Sequence, residues 1–167
     1  MGEPLQAAIL GFAVTFSPFQ AASLQEALHI VRVTPGYATV GVELSQLASQ
    51  GRIDFDPDLE DRAHASLSGT LRLGPEAVQS SPLSLAQTLV HEHFHLCQNP
   101  FLKTLSFWSG VASGTPVMRR YEKPAYRAAH DFLEAVKRAR PELSKEAESE
   151  QRAIRQVFAS VFGAELL

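Results

Sequence analysis

Apolar residues recur every three to four positions over most of this chain, which is the spacing of amphipathic helices. Ser23 and Glu26 form a capping-box pattern ahead of one apolar stripe, and Ser81-Pro82 is a typical start for another helix. That second helix is apolar on most sides, so it is predicted to be buried and central. Five helices are predicted. The first begins at Ser23, and the others run from Thr34 to Gly51, from Pro82 to Gln98, from Thr115 to Ala139 and from Ser144 to Phe162.

Two short segments, Arg52–Asp56 and Thr70–Leu73, alternate between polar and apolar residues, the pattern of half-buried strands. The polar stretch Leu59–Ser68 is predicted to be irregular, and the glycine- and serine-containing stretch Phe101–Gly114 is predicted to be a linker. An extended structure over Tyr37–Val42 remains an alternative to the start of the second helix. The pattern therefore predicts an α+β fold that is mainly helical, with a small sheet packed on the central helix.

Length and composition indicate one globular domain covering 1–167. The chain has 167 residues, 45% of them hydrophobic, and a net charge of −3. A small negative charge gives no electrostatic basis for binding nucleic acid. Cys97 is the single cysteine, which excludes an intramolecular disulfide and is typical of a reducing compartment. Cys97 itself is predicted to be an inert core residue.

The first apolar run, Ala7–Phe16, resembles the core of a signal peptide but has only Glu3 as a charged residue ahead of it. It is also shorter than the roughly 20 residues that span a bilayer. A buried helix within Pro4–Phe16 is therefore the favoured interpretation and a signal peptide is the alternative. The prediction is a cytoplasmic protein with no membrane partner.

The central helix carries His91-Glu92-His93-Phe94-His95, which contains the pattern H-E-x-x-H. Residues four apart on a helix lie about 40° apart on one face, so His91 and His95 can reach one metal ion. Glu92 projects roughly 100° from His91, beside that ion, where a carboxylate can act as a base. His93 lies about 160° from His95 and is predicted not to be a ligand.

A third ligand has to come from elsewhere, and the downstream candidates are Glu122, His130, Asp131 and Glu134. Glu122 falls on the apolar stripe of its helix, whereas Asp131 lies on the opposite side. A carboxylate on a core-facing stripe has to be neutralised, paired or bound to a metal. Glu122 is therefore the predicted third ligand, and a glutamate favoured by the helix dipole is the alternative. The stripe consists of Ala125, Ala129, Phe132, Leu133 and Val136.

Together, His91-Glu92-x-x-His95 and Tyr121-Glu122-x-x-Ala125-Tyr126 resemble the signatures of the gluzincin zinc metallopeptidases, in particular the small bacterial minimal gluzincins. The resemblance covers roughly Thr70 to Val136 and implies a zincin-like fold. It implies a Zn²⁺ ion held by His91, His95 and Glu122, with water in the fourth position. It also implies that strand Thr70–Leu73 is the rim strand that binds an extended peptide.

The implied activity is hydrolysis of peptide bonds by a metal-activated water, with Glu92 as the general base and a peptide or protein as the substrate. Tyr126 is the first candidate to stabilise the oxyanion, ahead of His130 and Tyr121. Gln98 is predicted to hydrogen-bond a group beside the ligands.

Two other functions fit the same residues. One is a regulatory or interaction protein that keeps the metallopeptidase fold and has one specific protein target or no turnover. The other is a structural metal site, which needs a fourth protein ligand, and His130 is the candidate to supply it.

Overall fold

The computed structural model describes residues 16–113 and 118–167, and over these ranges the chain is an α+β protein in which helices predominate. The predicted apolar segment Pro4–Phe16 and the predicted helix start at Thr115 lie almost wholly outside the described residues. The helices found in these ranges are α1 (Pro18–Val33), α2 (Ala38–Ser49), α3 (Pro75–Gln79), α4 (Pro82–Cys97), α5 (Pro100–Ser113), α6 (Arg119–Ala139) and α7 (Ser144–Phe162), with a 3₁₀ turn at Pro141–Leu143.

A three-stranded sheet lies between α2 and α3 along the chain, in the order β1-β3-β2. Its strands are β1 (Ile53–Phe55), β2 (Ala63–Ala65) and β3 (Leu71–Leu73). The strands β1 and β3, which are parallel, were both predicted, whereas β2, antiparallel to β3, falls in the stretch predicted to be irregular. Because β3 is paired on both sides, the prediction that Thr70–Leu73 is the rim strand is wrong. The outer strands of this sheet are β1 and β2.

The first helix begins earlier than its sequence pattern predicts. Ser17 caps α1, because the Gln20 amide N–H donates to Ser17 Oγ over 3.3 Å while the Ser17 N–H donates to Gln20 Oε1 over 2.8 Å. Pro18 in the first turn has the φ angle a helix needs. The capping box at Ser23 was therefore wrong, since Ser23 lies inside a helix that has already begun.

Thr34 ends α1 and does not open α2. Its N–H and its hydroxyl both donate to the Ile30 carbonyl oxygen, over 3.2 and 2.7 Å, so the side chain reinforces the last backbone hydrogen bond of the helix. Gly36 then turns the chain with φ +86°, and α2 starts at Ala38. The helical interpretation of this stretch is confirmed and the extended alternative is wrong.

The predicted linker at Phe101–Gly114 is also wrong, because the chain there forms α5. Asn99 caps this helix: its side-chain oxygen accepts a hydrogen bond from the Phe101 N–H over 2.9 Å. The sequence Asn99-Pro100 therefore separates two helices: the predicted helix up to Gln98 ends before it, and a helix that was not predicted begins at Pro100.

The described chain divides into two compact units, one ending at Leu96 and the other beginning at Cys97. In the first unit α1 packs on α2 and α3, and β3 pairs with both outer strands. Its core is built mainly from one face of each helix and the inner face of the sheet. The fully buried residues of this unit include Ala27, Val31, Leu44, Leu71, Leu73, Ala77, Ala86 and Leu89.

In the second unit, α6 packs on α5 and on α7. The predicted stripe of α6 is confirmed, since its five residues are all fully buried. The apolar pattern of α7 predicts one buried face that includes Val157, Phe158, Val161 and Phe162; Phe158 and Phe162 are buried, whereas Val157 and Val161 are exposed. The prediction of a single domain over the whole chain stays a prediction.

Gly41 on α2 lies against the backbone of Arg32 on α1. A Cβ atom added there would lie 2.5 Å from the Arg32 Cα, a distance that real Cβ atoms do not adopt. Alanine normally stabilises a helix interior relative to glycine by roughly 1 kcal/mol. We expect the opposite sign for Gly41→Ala, a loss of about 1–3 kcal/mol in the free energy of unfolding, because the helices have to separate. Urea denaturation measures this difference, and a stabilised variant would contradict the close packing.

Glu134 on α6 accepts hydrogen bonds from Gln151 on α7 and from Lys137, over 3.2 and 3.1 Å. The Gln151 amide, followed by Lys137, holds the pKa of Glu134 below its usual value of 4.5. A carboxylate with a lowered pKa in the folded state stabilises the fold above pH 4.5, and this contribution is lost as the pH falls through the folded-state pKa.

We therefore expect Glu134→Gln to reduce the dependence of stability on pH below about 4.5. The free energy of unfolding is measured from pH 3 to 7 for the unchanged protein and for Glu134→Gln. The two values should differ most at neutral pH and converge in acid. Parallel pH profiles for the two proteins would contradict this role of Glu134.

Candidate metal centre

The helix that carries the H-E-x-x-H pattern begins as predicted. Ser81 caps α4, because the Ser84 N–H donates to Ser81 Oγ over 3.1 Å, and Pro82 occupies the first helical position. Residues 83–90 are all buried, which confirms that α4 is apolar on most sides. From His91 onward all residues of α4 except Glu92 are partly or fully exposed, so the pattern lies where the helix leaves the core.

His91 and His95 lie side by side on this last part of α4. Their Nε2 atoms are 3.1 Å apart, and their rings meet edge to face with centroids 4.8 Å apart. Two imidazole nitrogens bound to one tetrahedral Zn²⁺ are about 3.4 Å apart, given Zn–N bonds of about 2.0–2.1 Å. Each ring therefore already directs its own Nε2 atom toward a common point, and both side chains are half-buried.

Glu92, in contrast, is buried, with 7% of its surface exposed. It is the only acidic side chain of α4. A carboxylate that is buried next to two imidazoles in sequence is costly to retain unless it has hydrogen-bonding or charged neighbours. This position therefore fits a functional carboxylate better than a surface one.

His93 is turned to another partner. Its Nε2 lies 2.7 Å from Glu43 Oε2 on α2, and the imidazole is largely buried. The prediction that His93 is not a ligand agrees with this contact. Glu43 was not identified from the sequence, since 50 residues separate it from His93 and no motif connects them.

Glu122 lies in the first turn of α6, in the second unit, and is half-buried. Its N–H donates to the Met118 carbonyl over 2.9 Å, and the preceding N–H, of Tyr121, donates to Ser106 Oγ on α5 over 3.2 Å. Gln98, the residue after α4, donates from Nε2 to the Tyr121 carbonyl over 3.1 Å. The backbone on the N-terminal side of Glu122 is thus held in place by two side chains.

The other predicted residues of α6 have contacts within the second unit. The Tyr126 ring packs edge-on against Phe158, with centroids 5.5 Å apart. His130 Nε2 lies 3.0 Å from Arg155 Nη1, and its Nδ1 lies 3.8 Å from Asp131. A guanidinium only donates hydrogen bonds, so His130 Nε2 is the acceptor. Its lone pair is therefore occupied, and His130 is a poor candidate for the fourth protein ligand of a structural site.

Cys97 is exposed, so its predicted place in the core is wrong. The reason is that α4 emerges from the core after Glu92, although its apolar sequence continues. Among the helices within 16–113 and 118–167, none combines the length and the hydropathy required to cross a bilayer.

Comparisons with protein-family models, with curated proteins and with solved structures give no match to this chain.

Proposed function

We propose that this protein is a zinc-dependent metallopeptidase of zincin-like fold, which hydrolyses peptide bonds in a peptide or protein substrate. The observation that carries the proposal is the approach of the His91 and His95 Nε2 atoms to 3.1 Å where α4 leaves the core. At this distance one neutral ring can donate an Nε2–H to the other, and a metal ion bound by both lone pairs would replace that hydrogen bond.

The donor set fits zinc. His91, His95 and Glu122 offer two imidazole nitrogens and a carboxylate oxygen, and all three side chains are partly exposed. Three such protein ligands and one open position are the composition of a catalytic zinc site, whereas structural sites use four protein ligands. When bound, Zn²⁺ supplies Lewis acidity that lowers the pKa of water to near 7 and polarises a carbonyl group.

Glu92 is the proposed general base. Its carboxylate accepts a proton from the attacking water and passes that proton to the amide nitrogen of the leaving group as the peptide bond breaks. The burial of Glu92 limits its exchange with bulk water, which keeps the proton available for the second transfer.

Glu122 is the proposed third ligand. The hydrogen bond from Gln98 to the Tyr121 carbonyl joins the residue after α4 to the residue before Glu122. This bond fixes the backbone that precedes Glu122 within the second unit. Tyr126 remains the proposed donor to the oxyanion, since it follows Glu122 by one helical turn.

To test this function, the purified protein is incubated with an unfolded substrate protein, and cleavage of that substrate is detected by mass spectrometry. We expect cleavage that stops when a chelator removes the metal and returns when Zn²⁺ is added in stoichiometric amount. Bound zinc without any cleavage, in a screen of unfolded proteins and peptides, would contradict the peptidase and favour the alternative of a regulatory protein.

A further inference from the structure

A cavity of about 390 Å³ lies in the second unit, and its lining includes none of the residues assigned above to the metal or to catalysis. Its volume falls at the lower end of the range for small-molecule sites, about 300–1,000 Å³. One wall comes from α5 and the other from the first turns of α6. The lining residues are Ser106, Ser109, Gly110, Ser113, Arg119, Arg120 and Lys123.

The charge of this cavity is strongly positive. Three of its lining residues are cationic and none is acidic, although the chain as a whole carries a net charge of −3. In the described ranges 16–113 and 118–167, neither Arg119 nor Arg120 forms an ion pair. Lys123 donates to the backbone carbonyl of Glu165 over 3.1 Å and lies 6.0 Å from the centroid of the Phe158 ring, and no described carboxylate pairs with it. The three cationic side chains would attract an anion in the cavity.

Three serine hydroxyls of α5 line the cavity. Ser106 is buried, and its hydroxyl oxygen accepts the Tyr121 N–H over 3.2 Å, which ties α5 to α6 beside the cavity. The Ser109 and Ser113 hydroxyls donate to carbonyls of their own helix over 3.2 and 2.6 Å. A hydroxyl rotates freely, so both can donate to a bound anion instead. Gly110 has no side chain, which lets a ligand approach the helix backbone between them.

We propose that this cavity binds a compact oxyanion, the phosphate or carboxylate group of a small molecule. Arginine guanidinium groups form paired hydrogen bonds with both kinds of group, and lysine adds a point charge. Serine hydroxyls complete the set of donors on the opposite wall. The inference concerns binding only and does not depend on the metal or on peptide hydrolysis.

The test is a titration of the full chain, labelled with ¹⁵N, by inorganic phosphate and separately by citrate at constant ionic strength. We expect saturable shifts of the Gly110 and Ser109 amide signals. Saturation by phosphate alone identifies a phosphate site, and saturation by citrate alone identifies a carboxylate site. The absence of a saturable shift with either probe would overturn the proposal.

Two double variants distinguish binding at this cavity from a general effect of the positive charge of the protein. Arg119→Gln with Arg120→Gln should weaken binding by about 10-fold or more, because two charge-assisted contacts are lost. The control is Lys145→Gln with Arg152→Gln, which removes the same charge from exposed positions on α7 and should leave the affinity unchanged. Equal weakening in both proteins would overturn the site. If the first double variant does not fold, Arg120→Gln alone, at an exposed position, serves the same comparison.

Discussion

Glu92→Gln is expected to abolish peptide hydrolysis while the protein keeps its metal. The amide has nearly the same shape as the carboxylate, but it cannot accept a proton from the attacking water. Loss of general base catalysis lowers kcat by about 10²–10⁴-fold. Neither His91 nor His95 is altered, so the metal content should remain that of the unchanged protein.

The measurement combines kcat for a cleavable peptide with metal analysis of the same preparation. The control is Glu26→Gln, an exposed glutamate on α1, which should change neither quantity. Activity retained in Glu92→Gln would show that another group takes the proton. Activity and metal lost together would instead assign Glu92 to the integrity of the site.

His95→Ala is expected to have the second large effect, on metal affinity. It removes one of the two Nε2 atoms that lie 3.1 Å apart. Changes to groups that only support a metal ligand typically cost 10–100-fold in affinity, so loss of a ligand itself should exceed about 100-fold. Competition with a coloured chelator measures the zinc affinity directly.

The matched control is His93→Ala, two residues away on the same helix. His93 contacts Glu43 and is largely buried, so its removal should cost about 1–3 kcal/mol of stability and leave zinc affinity within about 10-fold. If His93→Ala and His95→Ala weakened zinc binding equally, the assignment of the ligands by helical geometry would be wrong.

The parts of the fold that could be predicted are those in which local sequence and burial agree. For α4, the Ser81-Pro82 start and the apolar residues on most sides both indicated a buried helix, and its observed end at Cys97 is one residue from the prediction. The stripe of α6 was equally clear, because alanine, phenylalanine, leucine and valine repeat at helical spacing opposite charged residues.

The parts that could not be predicted depend on partners far away in sequence. The strand β2, Ala63–Ala65, has no strong strand residues and exists by pairing with β3. The helix α5 was mistaken for a linker because its serines and Gly110 are poor helix formers. Its cap at Asn99 and its packing on α6 outweigh that propensity.

The same distinction applies to the candidate site. The spacing of His91 and His95 predicted a shared face, and the structure brings their Nε2 atoms together. The pairing of His93 with Glu43 could not be predicted, since it depends on how α2 packs within the first unit. Helical position alone suggested Glu122, and its role as a ligand stays a prediction.

The most direct measurement of the central claim is a crystal structure of the zinc-loaded protein with anomalous scattering at the zinc edge. We predict one zinc ion bound by Nε2 of His91, Nε2 of His95 and a carboxylate oxygen of Glu122, with the fourth position open to water. An ion bound without Glu122, or closed off by a fourth protein ligand, would contradict the catalytic zinc site.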